Sequence, residues 1–176
     1  WDIHRLLQCK YPQLNLTTLN QGISGDRAID LKSRWKSDVL ELNPDWVFIY
    51  IGINDVWRFF EGDPHEGVTL SAFIKTYSQL IVDTISTIPA RMRLIIPFLG
   101  ELDPIDPFRS QLTQYQSAIA DLGQDFSIPV IPLQLAFDHA MQVKYPQYWT
   151  NDRVHPTEEG HLLIALTILK ACGFEQ

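Results

Sequence analysis

The sequence is poor in cysteine, in basic residues and in long apolar runs, and each shortage argues against a class of function. Its two cysteines, Cys9 and Cys172, stand near opposite ends of the 176 residues, without metal-ligand spacing. A disulfide framework is therefore not expected, and unless the termini meet both thiols should be free and buried. Lysine and arginine number 14 against 21 acidic residues, a formal net charge of −7. Such a chain has no excess cation to neutralise phosphates, so no nucleic-acid partner is expected. No stretch approaches the roughly 20 apolar residues that cross a bilayer, so no membrane span is expected either. There is no H-E-x-x-H and no cysteine cluster. A zinc site could draw only on Asp152, His155, His161 or His139, and no metal or other cofactor is expected. Neither G-x-G-x-x-G nor a P-loop is present to cradle phosphates, which argues against a nucleotide or flavin binder. Internal repeats and low-complexity segments are also absent.

What is present is an ordinary globular composition, 45% apolar and 20% charged. The length suits one domain, residues 1–176, with a substantial core. The chain opens at Trp1 without a methionine, and Ile3, Leu6, Leu7 and Cys9 follow as one face of a helix already under way. The expectation is that the numbering starts inside the domain. A leader peptide would then be invisible, and the cytoplasm is only the default compartment.

The stretch Val47-Phe48-Ile49-Tyr50-Ile51 reads as a strand buried on both faces that stops at Gly52 and hands the chain to a loop. Two further strands are expected, over Met92 to Pro97 and Ile128 to Pro132, and Leu14 to Leu19 alternates like a short one. Between them run helical patterns. Asp26 is a plausible N-cap for a helix burying Ala28, Leu31, Trp35, Val39 and Leu42. Others carry Phe73, Tyr77, Leu80, Thr84 and Ile88, then Leu112, Tyr115, Ile119 and Leu122, then Phe137 and Met141. The last runs from about Thr157 to Ala171. Strands alternating with helices imply a mainly parallel sheet covered on both faces.

Ligands in such folds bind beyond the carboxyl ends of the strands, and three loops there carry distinctive residues. In Gly22-Ile23-Ser24-Gly25-Asp26 a glycine at a strand-to-helix turn can bring its N–H close to a ligand, or can simply permit tight turning. In Gly52-Ile53-Asn54-Asp55, Asn54 offers an uncharged amide donor, although Asn-Asp also suits a plain turn. In Asn151-Asp152-Arg153-Val154-His155-Pro156, Asp152 stands three residues before His155 and can reach its ring, fixing tautomer and orientation. A solvated histidine beside a local cap is the bland alternative.

Taken together and in order, Gly25, Asn54 and Asp152-x-x-His155 resemble three of the four motif blocks of the GDSL/SGNH hydrolases. The wording of Gly52-Ile53-Asn54-Asp55-Val56-Trp57-Arg58 and of Asp152 to Pro156 is similar to the branch that includes acetylxylan esterases. The resemblance covers nearly the whole chain. It implies a flavodoxin-like three-layer α/β/α fold and hydrolysis of acyl esters, acetyl esters in that branch, without a metal. It makes His155 the general base and Asp152 its orienting acid, with the Gly25 N–H and the Asn54 side chain as oxyanion donors.

The fourth block, a Gly-Asp-Ser turn after the first strand, has no match in these residues, and Ser24 fills a different place in the pattern. The expectation is that strand and serine lie upstream of Trp1. Trp57 and Trp149, with Phe59 and Tyr148, could stack on sugar rings, although core or subunit packing explains them as well. The implied partner is a small-molecule or oligosaccharide ester, with a homo-oligomer left open. Two other readings remain: a non-catalytic carbohydrate-binding or pseudoenzyme domain on the same scaffold, and, less favoured, a flavodoxin-like flavin or nucleotide binder.

Overall fold

Apolar runs alternating with amphipathic stretches give this chain parallel strands joined by helices, and the computed structural model describes residues 2–174 in that arrangement. Trp1, which the sequence places at the start of the first helix, lies outside the described residues. Three strands, β1 (Trp46–Tyr50), β2 (Arg91–Ile96) and β3 (Val130–Pro132), pair in parallel in the order β1-β2-β3. Trp46 faces Arg91 and Leu94 faces Val130. Parallel neighbours need crossovers, and helices supply them. The helices are α1 (Asp2–Lys10), α2 (Ala28–Trp35, continued by a π-turn over Lys36–Leu40), α3 (Ile53–Glu61), α4 (Leu70–Thr87), α5 (Pro107–Asp125), α6 (Leu133–Val143), the short α7 (Pro146–Trp149) and α8 (Glu158–Ala171).

The side-chain period of two divides the sheet between two cores. Val47, Ile49, Met92 and Leu94 point to one face and pack with Trp35 of α2, Phe73 and Tyr77 of α4, and Tyr115 of α5. Ile95 and Ile131 point to the other, against Phe137 of α6 and Ile168 of α8, with Ile3 of α1 packed alongside. This is the three-layer α/β/α sandwich expected from the resemblance. Two buried polar tips in the core are satisfied within the layers, as the low dielectric requires. The Tyr77 hydroxyl donates to the Ile49 carbonyl at 3.3 Å, and the Trp35 indole to Thr84 Oγ1 at 3.0 Å.

Phe73 joins core and site. It is fully buried, with its ring centroid 5.4 Å from that of Tyr77 and 5.1 Å from that of Tyr115. Its ring edge also lies 3.3 Å from where a Cβ on Gly52 would sit. Phe73→Ala is expected to cost about 3–5 kcal/mol through the cavity it leaves. Thermal denaturation should show the midpoint falling by roughly 6–20 °C for a chain of this size.

Several sequence expectations differ from the structure. The strand β1 is not buried on both faces: Trp46, Phe48 and Tyr50 keep 37%, 42% and 40% of their surface, while Val47 and Ile49 are buried. Trp46 and Phe48 stack on each other, and Arg91 and Arg93 sit over the Trp46 ring. Among the described residues nothing pairs with the outer edge of β1. The expected strand Leu14 to Leu19 is absent for the same reason. Its segment runs without ladder partners and leaves Leu14 and Leu19 exposed, since alternation makes a strand only where another strand accepts its hydrogen bonds. The chain enters α3 directly after Gly52 instead of a loop. Asp26 does not cap α2. The N-cap is Arg27, the first helical N–H goes to Asp55, and Asp26 instead pairs with Arg34. Leu42, assigned to the buried stripe, is exposed. Cys9 and Cys172 are both free, as expected, but exposed rather than buried.

Candidate active site

The carboxyl end of β1 builds the first half of the site. Gly52 has φ +125°, a backbone state that favours glycine, and the chain passes from strand into α3 within two residues. Asn54 thereby falls in the first turn of a helix, half-buried, at the positive end of the helix dipole. Its Nδ2 donates to the Asp26 carbonyl at 3.0 Å. That bond fixes the amide rotamer and leaves the second amide hydrogen unused by it. Asp26 follows Gly25, whose φ of +88° again suits glycine, so one bond brings Gly25 and Asn54 together. Gly22 is not part of this pair, because its N–H is taken locally by the Asn20 side chain at 3.1 Å. Ser24 lies exposed in the same turn.

The second half is the loop before α8. The Nδ1–H of His155 donates to Asp152 Oδ2 at 2.7 Å, while Asp152 Oδ1 accepts the backbone N–H groups of His155 at 2.8 Å and Val154 at 3.2 Å. Burial would raise the Asp152 pKa. The His155 backbone and ring donors and the Val154 N–H outweigh it and hold the carboxyl below its ordinary value. A proton fixed on Nδ1 leaves the lone pair on Nε2, on a side chain 62% exposed. The imidazole is thus presented outward in one tautomer, as a proton acceptor requires.

The partners that hold this loop have no mark in the sequence. Arg153, between the two residues, takes φ +75° and sends its guanidinium to Glu101 at 3.3 Å and Asp106 at 2.7 Å. Its carbonyl accepts the Gly100 N–H at 2.6 Å. Behind Gly100, Gln134 bonds both the N–H and the carbonyl of Leu99, and Arg109 pairs with Asp138. The segment after β2 therefore buttresses the histidine loop. Glu101 and Asp106 look like generic loop acids in the sequence, so no signal there marks them.

The aromatic candidates are partly engaged elsewhere. Trp149 donates its indole N–H to the Ala140 carbonyl at 3.2 Å and packs against the α6–α8 core. Trp57 donates to Glu61 at 3.1 Å and carries Arg58 over its ring at 5.2 Å. Among the described residues no group of three or more His, Cys, Asp or Glu could hold a metal ion, and no helix is long and apolar enough to cross a membrane.

Asp55, which the sequence places with Asn54 at the ligand-binding end of the strand or in a plain turn, is fully buried. Burial pushes its pKa up to about 7, against the opposing pull of the Ala28 N–H, its own N–H and Arg27. The folded carboxyl therefore keeps a proton that the unfolded chain releases near pH 4. Its contribution to stability is greatest below about pH 4 and declines as pH rises to about 7. Asp55→Asn cannot ionise and escapes that decline, on the order of 4 kcal/mol in total. Thermal melts should show the variant gaining roughly 10 °C on the wild type between pH 4 and pH 8.

Residues 3–163 match the family model described as GDSL-like Lipase/Acylhydrolase. The chain belongs to that family. It is 36% identical over 172 residues, 97% of its length and 78% of the relative's, to an acetylxylan esterase of Geobacillus stearothermophilus. The crystal structure of that esterase superposes with a TM-score of 0.94 at 35% identity, covering 99% of this chain and 80% of the other. An α/β hydrolase from the metagenome of Lake Arreo, Spain, superposes with a TM-score of 0.92 at 33% identity, covering 97% and 79%. Catalytic mutants of the Geobacillus esterase replace an Asp, a His or a Ser, with the Asp and His in the order Asp-x-x-His. Family and homologue together make this chain a carboxylic ester hydrolase of the GDSL type.

Proposed function

We propose that the protein is a serine esterase that removes acetyl groups from esterified carbohydrate. The observation that carries this reading is the 2.7 Å bond from His155 Nδ1–H to Asp152, which prepares Nε2 as a base. A module that only binds sugar has no use for a base with its orienting acid. In the mechanism a serine Oγ attacks the ester carbonyl as His155 Nε2 takes its proton. The carbonyl oxygen becomes negative and is met by the Gly25 N–H and the free hydrogen of the Asn54 amide. His155 then returns the proton to the departing sugar hydroxyl, and water repeats the cycle on the acetyl-serine.

The nucleophile comes from outside these 176 residues, on a strand that pairs with the open edge of β1. That edge, the half-exposed row Trp46, Phe48 and Tyr50, and the unpaired segment 14–19 support a further strand there. Trp57, three residues beyond Asn54 in α3, and Trp149, three residues before Asp152, are the candidates to stack on the sugar. The acetyl-sugar preference follows the similarity to an esterase described as acting on acetylxylan.

Acetate release from acetylated xylo-oligosaccharides by the full-length protein tests the reading. Turnover of these and of 4-nitrophenyl acetate, with little turnover of long-chain acyl esters, is expected. Tight sugar binding without acetate release would favour the non-catalytic alternative.

A further inference from the structure

The proposed mechanism gives the buried carboxylate of Asp55 no chemical task, yet its two oxygens each lie 3.1 Å from the same backbone N–H, that of Ala28. Ala28 is the first residue of α2, three beyond Gly25, and Asp55 follows Asn54 in the first turn of α3. Two adjacent side chains on α3 thus grip the two ends of one short segment. Asn54 holds the Asp26 carbonyl, and Asp55 holds the Ala28 N–H. The grip is itself fastened, because the Asp55 carbonyl accepts the Val68 N–H at 3.0 Å and the Tyr115 hydroxyl bonds the Val68 carbonyl at 2.5 Å.

We infer that Asp55 is a positioning residue, whose carboxylate bridges the N-termini of α2 and α3 and holds the Gly25 turn in register with Asn54. The inference rests on the proposed role of Gly25 and Asn54 as oxyanion donors. Such donors act only when already aimed, so a tie that sets their separation bears on the transition state and not on substrate binding. The charge makes the tie strong, since an ionised acceptor at two helix N-termini bonds an N–H about twice as firmly as a neutral one. The charged groups acting on the carboxylate are Arg27 and Asp30 from α2, which pair with each other. Glu66 lies beyond Arg27, and Tyr115 on α5 feels the carboxylate. With its pKa raised to about 7, Asp55 holds the turn by a charged bond in mild base and by a neutral one in mild acid.

The test compares Asp55→Asn with wild type in the full-length enzyme on 4-nitrophenyl acetate, with Asn54→Ala alongside. Near pH 9 the Asn variant should lose about 10- to 100-fold in kcat with KM unchanged. Near pH 6, where the wild-type carboxyl is itself mostly neutral, the two should agree within about threefold. Taking their ratio cancels every pH effect that the two enzymes share. A purely structural role would shift the melting temperature and leave this pH-dependent kcat ratio flat.

Asn54→Ala should lose about 100- to 1000-fold at every pH. A crippled Asn54→Ala beside an Asp55→Asn that matches wild type at pH 9, loses equally at all pH, or changes only KM overturns the role of Asp55 alone. Failure of Asp55→Asn to fold at pH 6 overturns it too, because a neutral group is already tolerated there. An active Asn54→Ala overturns the oxyanion reading and this inference with it.

Discussion

His155→Ala is expected to lower kcat of the full-length enzyme on acetyl esters by about a millionfold, the loss that follows if His155 is the base of a serine hydrolase. The size follows from what the residue does. A serine hydroxyl is a poor nucleophile unless its proton leaves as the bond forms, and no other described group is held as His155 is. Its ring is fixed by Asp152 at 2.7 Å, and the loop is fixed in turn by Arg153 on Glu101 and Asp106. Substrate still binds, so KM stays close to wild type. The proposed oxyanion donors remain, so about a thousandfold of catalysis over water should persist. Initial rates at saturating 4-nitrophenyl acetate measure the effect, and a loss smaller than about a hundredfold would mean another group takes the proton. Asp152→Asn keeps the geometry but favours the wrong tautomer, so its loss should be smaller, about ten-thousandfold.

The 176 residues expressed alone are expected to hydrolyse 4-nitrophenyl acetate no faster than the His155→Ala enzyme and to melt without a sharp transition. On the proposed mechanism activity fails because the serine is supplied from outside them. Stability suffers because β1 carries an open edge and a half-exposed aromatic face, and segment 14–19 exposes Leu14 and Leu19 without a partner. Open edges and contiguous apolar surface also promote association, so light scattering should show aggregates at micromolar concentration. A soluble preparation with a cooperative melt and esterase turnover would contradict both the missing serine and the missing strand.

The sequence reveals most where one physical rule acts alone. The helices α4, α5 and α8 have long apolar stripes at helical spacing and lie close to where their patterns place them. The Asp152–His155 pair is legible because three residues of separation in a loop allow one local bond. Gly25 and Asn54 are legible as turn and amide, but their proximity is not, since it depends on a bond across 28 positions from Asn54 to Asp26.

Segment 14–19 misleads because alternation describes a strand's faces and says nothing of its neighbours. In β1 the continuous apolar run suggests burial on both sides, while Trp46, Phe48 and Tyr50 each keep a substantial part of their surface exposed. The loop predicted after Gly52 is a helix because the turn there spends two residues where a loop would spend several. The partners of Asp55 and Arg153 are not legible, for a shared reason. Each residue acts on a group distant in sequence, Ala28 for one and Glu101 with Asp106 for the other, and no local pattern records such partners.

The most direct test of the central claim is to label the full-length protein with a fluorophosphonate and locate the adduct by peptide mass spectrometry. The account predicts an adduct on a serine in a Gly-Asp-Ser turn outside the 176 residues, abolished by His155→Ala. An adduct on Ser24, or no adduct on an otherwise folded and sugar-binding protein, would contradict it.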